Sequence, residues 1–252
     1  MKTILVTGGT GTLGRPVTDR LRSAGHEVRV LSRRAQPYGV DLREGTGLDA
    51  AVRGVDAVVH CASSPRGGDD SAAGHLIEAA RRAGVAHLVY ISIVGVNRVP
   101  LGYYGTKWRV ERMLQASGLG WTVLRTTQFH DFVLGVLASS AKLPVIPLPA
   151  GMSVQPIDTA EVAGRLAELA VGEPAGQVPE MGGPQIRSLP DLARAYLAAT
   201  GRRRPIVPVR LAGKAYTGFR AGRHLTPERA VGRRTFEEFL DERFGGPGDG
   251  RR

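Results

Sequence analysis

Tyr103 and Lys107 stand four residues apart, a spacing that puts both on one face of a helix. A phenol beside an ammonium is a proton-transfer pair. The positive charge stabilises phenolate and lowers the tyrosine pKa, and the ammonium can also hydrogen-bond a cofactor ribose. Ser92 follows the apolar run His87-Leu88-Val89-Tyr90-Ile91, and its hydroxyl could orient a substrate carbonyl and share in the proton transfer. Tyr-x-x-x-Lys also arises by chance, as an amphipathic packing tyrosine and a solvated lysine. Tyr104, three residues from Lys107, competes for the same face. The elements around these residues therefore decide what they mean.

The strongest of those elements lies at the start of the chain. Thr3-Ile4-Leu5-Val6 reads as a buried strand, and Leu13, Val17 and Leu21 form the inward stripe of a helix. Between them runs Thr7-Gly8-Gly9-Thr10-Gly11-Thr12-Leu13-Gly14. Strand, glycine turn and helix in that order make a phosphate cradle. Gly8 permits the tight turn, Gly11 lets backbone approach a pyrophosphate, and Gly14 lets the helix pack closely on the strand. The free N–H groups of the helix start would face the anion. The competing reading is a glycine-rich turn without a ligand.

Val28-Arg29-Val30-Leu31, the second strand, ends in Ser32-Arg33-Arg34. An NAD-selective site places a carboxylate here for the ribose 2′-hydroxyl, whereas a hydroxyl and two guanidiniums suit a 2′-phosphate. NADP is the expected cofactor, ahead of NAD. Tyr38-Gly39-Val40-Asp41-Leu42 reads as a short third strand; Asp41 at its exit could meet an adenine amino group or cap a helix over residues 48–52. A fourth strand over residues 55–60 runs into Cys61-Ala62-Ser63-Ser64-Pro65, small residues that leave room for a cofactor. Cys61 itself fits an inert strand-end thiol better than a reactive one. A helix over residues 72–83, the fifth strand ending at Ser92, a helix through Trp108 and Leu114, and a sixth strand over residues 121–125 complete the alternation. The pattern predicts an α/β fold, a Rossmann-type doubly wound parallel sheet with right-handed crossovers.

The texture changes at Thr126-Thr127-Gln128-Phe129-His130, again at a strand's carboxyl end. Thr126 is a candidate cofactor contact, and Gln128, Phe129 and His130 are candidate substrate contacts. Phe129 could equally be a core aromatic, and His130 fits a surface or helix-capping histidine better than a substrate donor. Beyond them the spacing predicts helices over residues 132–137 and 159–171, the latter capped by Asp158. Ser188 and Pro190 start the next helix, residues 206–209 form a short strand, a glycine-punctuated helix follows Leu211, and Phe236, Phe239, Leu240 and Phe244 make a last apolar stripe. The expected organisation is one NAD(P)-binding domain over residues 1–244. Residues 143–157 and 178–244 supply a small C-terminal α/β substrate lobe, and 245–252 a disordered tail.

Composition narrows the class. A length of 252 residues with 42% apolar content suits one globular α/β domain. No apolar stretch is long enough to span a bilayer and no leader pattern opens the chain, so a cytoplasmic home without membrane contact is expected. Cys61 is the only cysteine and the six histidines are scattered, which excludes an internal disulfide and any recognisable metal motif. The formal charge of +11 gathers in the last third, around Arg202-Arg203-Arg204 and Arg233-Arg234. Without aromatic interleaving or a helix-turn-helix pattern, that charge argues against nucleic acid as the main partner. A small-molecule substrate is expected, with a protein partner or homodimer left open.

With these residues in place, the chain resembles the extended and atypical short-chain dehydrogenase/reductases, especially the NmrA-like NAD(P)-binding proteins. Thr7 to Gly14 matches that family's T-G-x-T-G-x-x-G turn. Leu124-Arg125-Thr126-Thr127-Gln128-Phe129 resembles its L-R-P-x-x-F segment, with Thr126 where proline is usual. Gln155-Pro156-Ile157-Asp158-Thr159-Ala160-Glu161-Val162-Ala163 resembles its I-D-x-x-D-V-A signature, with Glu161 in place of aspartate. The resemblance implies a Rossmann domain with a small substrate lobe, bound NADP or NAD, and Ser92, Tyr103 and Lys107 as the catalytic triad. It implies either an oxidoreductase acting on a small carbonyl, quinone or activated double bond, or an NADP(H)-sensing regulator without turnover. A sugar-nucleotide epimerase-like enzyme fits less well, because the chain after Thr126 is small for a nucleotide-sugar.

Overall fold

The computed structural model describes residues 1–64 and 67–245. Pro65 of the small-residue loop and residues 246–252 of the expected tail lie outside them. The chain divides into two compact units. The first comprises Met1–Asn97, Leu101–Arg125 and Thr159–Pro179, the second Arg98–Pro100, Thr126–Asp158 and the chain from Glu180 onward.

In chain order the elements are β1 (Thr3–Thr7), α1 (Gly14–Ser23), β2 (Glu27–Leu31), α2 (Leu48–Val52), β3 (Ala57–His60), α3 (Asp69–Arg82), β4 (His87–Ile93), α4 (Gly102–Gln115) and β5 (Gly120–Thr126). Then come α5 (His130–Ser140), β6 (Ile146–Pro149), β7 (Ser153–Val154), α6 (Thr159–Val171), β8 (Gly176–Gln177) and β9 (Arg187–Ser188). The last are α7 (Leu189–Ala199), β10 (Ile206–Val209), α8 (Lys214–Arg220) and α9 (Phe236–Phe244).

The first unit is a parallel six-stranded sheet in the order β2-β1-β3-β4-β5-β8. Its central strands β1, β3 and β4 are buried on both faces, as a sheet covered by helices on each side requires. Leu5, Val58, Leu88 and Val123 face Leu48 of α2, Leu76 of α3 and Leu114 of α4. On the other side α1 packs on α6, which itself rests on β3 and β4. The expected doubly wound sheet is therefore present. Each buried leucine-sized side chain contributes about 1.5–3 kcal/mol, so the sheet core fixes the strand ends that carry the site.

The order of the strands reverses between β1 and β3, where the glycine turn and the small-residue loop leave the sheet. The third strand expected over residues 38–42 does not form. Ala35 and Val40 both donate backbone N–H to Ser32 O, so the chain curls over the end of β2 and makes only a single parallel bridge, Ser32 to Gly39.

In the second unit, α5, α7 and α9 enclose Leu134, Leu137, Ile146, Leu192, Tyr196 and Phe239. β6 pairs with β10 in parallel and β7 with β9 antiparallel. Ser188 caps α7 by accepting from Asp191 N, with proline just inside the helix as the sequence indicates. α9 opens on a capping box of Thr235 and Glu238, a signal the sequence reading passed over. Among the described residues no helix is long and apolar enough to cross a membrane.

Candidate active site

The glycine turn joins the buried end of β1 to α1. Gly8 has φ +65°, and a Cβ there would lie 2.9 Å from the backbone N and Cα of Ala62, so the turn and the exit of β3 touch backbone to backbone. A Cβ on Gly14 would come within 2.2 Å of Gly8 O. Gly11 differs: its N–H donates to Gly8 O at 2.8 Å, and a Cβ would meet only that oxygen, at 3.2 Å. Thr10, Gly11 and Thr12 are exposed, while the Leu13 side chain anchors the turn in the core. No side chain caps α1 and its first turn holds no acidic residue, so the positive end of the helix dipole meets this exposed turn uncompensated. Thr7 is fully buried. Its hydroxyl accepts from Ala62 N at 3.2 Å and lies 2.7 Å from His60 Nδ1, bracing the ends of β1 and β3.

At the end of β2, Ser32 Oγ is buried without a hydrogen-bond partner among the described residues. Arg33 and Arg34 are exposed, and neither guanidinium joins an ion pair among the described residues. Asp41 does not cap α2, which opens at Gly47 instead. Its carboxylate accepts from Arg43 N at 3.0 Å and its carbonyl from Gly45 N, closing a local turn above the buried Leu42.

β4 and α4 bring Ser92, Tyr103 and Lys107 into the same unit. Ser92 is buried, and its Oγ has no partner among the described residues. Lys107 is buried as well, donating to Ile91 O at 3.3 Å with Nζ over the rings of Tyr90 at 4.9 Å and Tyr103 at 5.9 Å. Burial pushes the Lys107 pKa down, against the pull of Asp69, Cys61 and Glu111. Tyr104, the competitor, is buried, whereas Tyr103 is 39% exposed.

The expected lowering of the Tyr103 pKa is reversed. Burial is the main cause and the Asp69 charge raises it further, while Lys107 Nζ lies over the ring face at 5.9 Å from its centroid. Burial also pushes the Cys61 thiol up to about 12 and His60 down to about 3, with the Lys107 charge acting on both. A thiol held so high is not a nucleophile at neutral pH, in keeping with the inert reading of Cys61.

Thr126, Gln128, Phe129 and His130 belong to the second unit. Thr126 is buried and bridges Met181; Gln128 O accepts from Ile157 N; Phe129 precedes α5 at its cap position. His130 is fully buried. Its Nε2 donates to Arg234 O at 3.0 Å and its ring packs on Phe236 and Phe239. His130, expected as a surface or helix-capping histidine with substrate contact as the alternative, is thus a core histidine whose pKa burial lowers.

Two groups escaped the sequence reading. Asp69, the first residue of α3, is 6% exposed and accepts from Ser63 Oγ at 2.6 Å and Ser64 N at 2.8 Å. Gly67-Gly68-Asp69-Asp70 was the available signal, since acidic residues favour a first helical turn. Glu111 and Arg125 form a buried two-pronged pair, Nε to Oε1 at 2.9 Å and Nη2 to Oε2 at 2.6 Å. Their separate elements, α4 and β5, hid it from sequence spacing.

A family model described as NAD(P)H-binding matches residues 8–166. The chain is 37% identical over 143 residues to a (4-alkanoyl-5-oxo-2,5-dihydrofuran-3-yl)methyl phosphate reductase of Streptomyces griseus. That match covers 52% of this chain and 49% of the relative, so the matched region spans about half of the relative's length. It is 33% identical over 237 residues to an NAD(P)H azoreductase of Xenophilus azovorans, covering 85% of this chain and 80% of that one. The fold is shared with the NADPH-dependent quinone oxidoreductase QOR2 of Escherichia coli, solved with NADPH, at TM-score 0.79 and 22% identity over 96% of this chain and 99% of the other.

Proposed function

The chain belongs to the NAD(P)H-binding family, and on that premise we propose that it is an NADP(H)-dependent reductase of the atypical short-chain dehydrogenase/reductase kind. Its substrate is a small, fairly apolar quinone, carbonyl or activated double bond. The observation that carries the reading is the turn from Gly8 to Gly14: backbone exposed from Thr10 to Thr12 beside a helix start that no side chain caps, closed so tightly that a side chain at Gly14 has no room. Such an arc fits a pyrophosphate. Ser32, whose hydroxyl has no partner among the described residues, and Arg33 and Arg34, which join no ion pair among them, fit a 2′-phosphate. The relatives named as reductases support the direction of the chemistry.

When bound, the cofactor supplies the hydride. The chain supplies position and a proton. Ser92 Oγ, buried and unsatisfied, orients the substrate oxygen; Lys107 Nζ is available to a ribose hydroxyl. Tyr103, kept protonated by its raised pKa, donates to the reduced oxygen. Tyr103→Phe is expected to lower kcat for NADPH-dependent reduction of an apolar quinone by about 10²-fold or more, with NADPH affinity nearly unchanged. Full turnover by this variant would remove Tyr103 from the chemistry.

A second reading, an NADP(H)-sensing module without turnover, draws on one observation: the Tyr103 hydroxyl already has a partner in Ser63. Cofactor binding without reduction across a panel of quinones, aldehydes and azo compounds would favour it.

A further inference from the structure

We propose that Ser63 and Asp69 form a proton relay behind Tyr103, setting which way its hydroxyl points and resupplying its proton. The proposal rests on the reading of Tyr103 as proton donor. Its basis is the direction of two short hydrogen bonds. Ser63 Oγ lies 2.6 Å from Asp69 Oδ2 and 2.8 Å from Tyr103 Oη. A carboxylate can only accept, so the single Ser63 proton goes to Asp69. The Ser63 oxygen then accepts from Tyr103, and the phenol proton points into the protein. Asp69 is itself nearly buried and held by Ser64 N, which fixes the far end of the chain.

Each partner reaches Tyr103 from a different element: Ser63 from the loop after β3, Asp69 from the start of α3, and Tyr103 from α4. The other charged and titratable groups around the phenol do not take the hydroxyl. Lys107 lies over the ring faces of Tyr103 and Tyr90, and Asp70 is engaged by Arg109 at 2.9 Å. In the reductive direction the Tyr103 Oη–H bond breaks as its proton passes to the substrate oxygen. The Ser63 proton moves to Tyr103, and a proton taken from solvent passes through Asp69 to Ser63, so that each group ends as it began. The electron pair arrives as hydride from the reduced nicotinamide, which is oxidised. With Asp69 ionised the same chain draws a proton inward from an alcohol.

The test is ultraviolet titration of the Tyr103 phenol, isolated from the other tyrosines by subtracting Tyr103→Phe. Ser63→Ala removes the oxygen that accepts the phenol proton, a bond that favours the neutral phenol, and is expected to lower the midpoint. Asp69→Asn removes a negative charge and turns the Ser63 proton toward Tyr103, lowering it. Ser63→Thr restores the wild-type midpoint. Loosening at two independent places would give midpoint shifts that add, whereas a chain in which Asp69 acts through the Ser63 proton makes Asp69→Asn shift the midpoint less in the Ser63→Ala background than in the wild type, so additive shifts overturn the relay. Ser63→Ala is also expected to lower kcat by about 10-fold or more without moving KM. If it keeps kcat while Tyr103→Phe loses it, the relay is wrong and the Tyr103 reading stands. If Tyr103→Phe keeps kcat, the catalytic reading fails, and the non-additivity of the midpoint shifts alone decides whether Ser63 and Asp69 govern the phenol.

Discussion

Gly14→Ala is expected to abolish measurable NADP(H) binding and to lower stability by about 1–3 kcal/mol, the usual range for a forced fit. The added Cβ would stand 2.2 Å from Gly8 O, an atom of the backbone that cannot swing aside. The carbonyl must move, and with it the turn whose amide groups would hold the pyrophosphate. Losing about two charge-assisted hydrogen bonds corresponds to about 10²-fold or more in affinity. Gly11→Ala supplies the contrast. Its Cβ would meet only Gly8 O, at 3.2 Å, and otherwise faces open space. Melting temperature should therefore hardly change while cofactor affinity falls. Thermal melts and fluorescence titration with NADPH separate the two effects. Normal NADPH affinity in both variants would show that the glycines serve only to pack β1, β3 and α1.

The largest effect on stability is expected from Glu111→Ala. Arg125 and Glu111 are 7% and 0% exposed, and the two prongs match guanidinium to carboxylate in the plane. Removing the carboxylate leaves a buried cation without the group that was matched to it, at a cost of about 3–5 kcal/mol. Replacing both residues together by leucine and methionine should recover most of that loss, since an apolar pair avoids desolvating two ions. Denaturant unfolding of both variants checks this. A loss under about 1 kcal/mol for the single variant, as for an exposed pair, would contradict the buried geometry. Glu111 also lies one turn from Lys107 on α4 and holds its pKa up. The single variant should therefore push the Lys107 pKa further down as well.

The first unit was readable from sequence where local pattern and tertiary demand agree. β-branched runs buried on both faces, a glycine turn and an amphipathic helix leave few alternatives, so β1, α1, β2 and the switch point fall where the pattern puts them. The stretch at Tyr38 to Leu42 went wrong because two amides competing for Ser32 O outweigh a weak strand run containing glycine. His130 went wrong for a different reason. Its place between a strand and a helix suggested a surface or capping residue, or a substrate contact, but the aromatic residues that bury it, Phe236 and Phe239, come from α9, far along the chain. The Tyr103 pKa could not be read at all. Helical spacing put Lys107 on the same face but not whether its charge would reach the hydroxyl or the ring. Asp69 reaches Tyr103 only through Ser63, a connection that no spacing rule encodes.

Calorimetric titration of the full chain with NADPH and with NADH tests the central claim most directly, that the first unit is a dinucleotide site built for a 2′-phosphate. The account predicts that NADPH binds about 10-fold or more tightly than NADH, the value of a charge-assisted hydrogen bond. It further predicts that Arg33→Ala with Arg34→Ala weakens NADPH to the level of NADH and leaves NADH unchanged. Equal affinities in the wild type, or an NADPH preference that survives both substitutions, would contradict it.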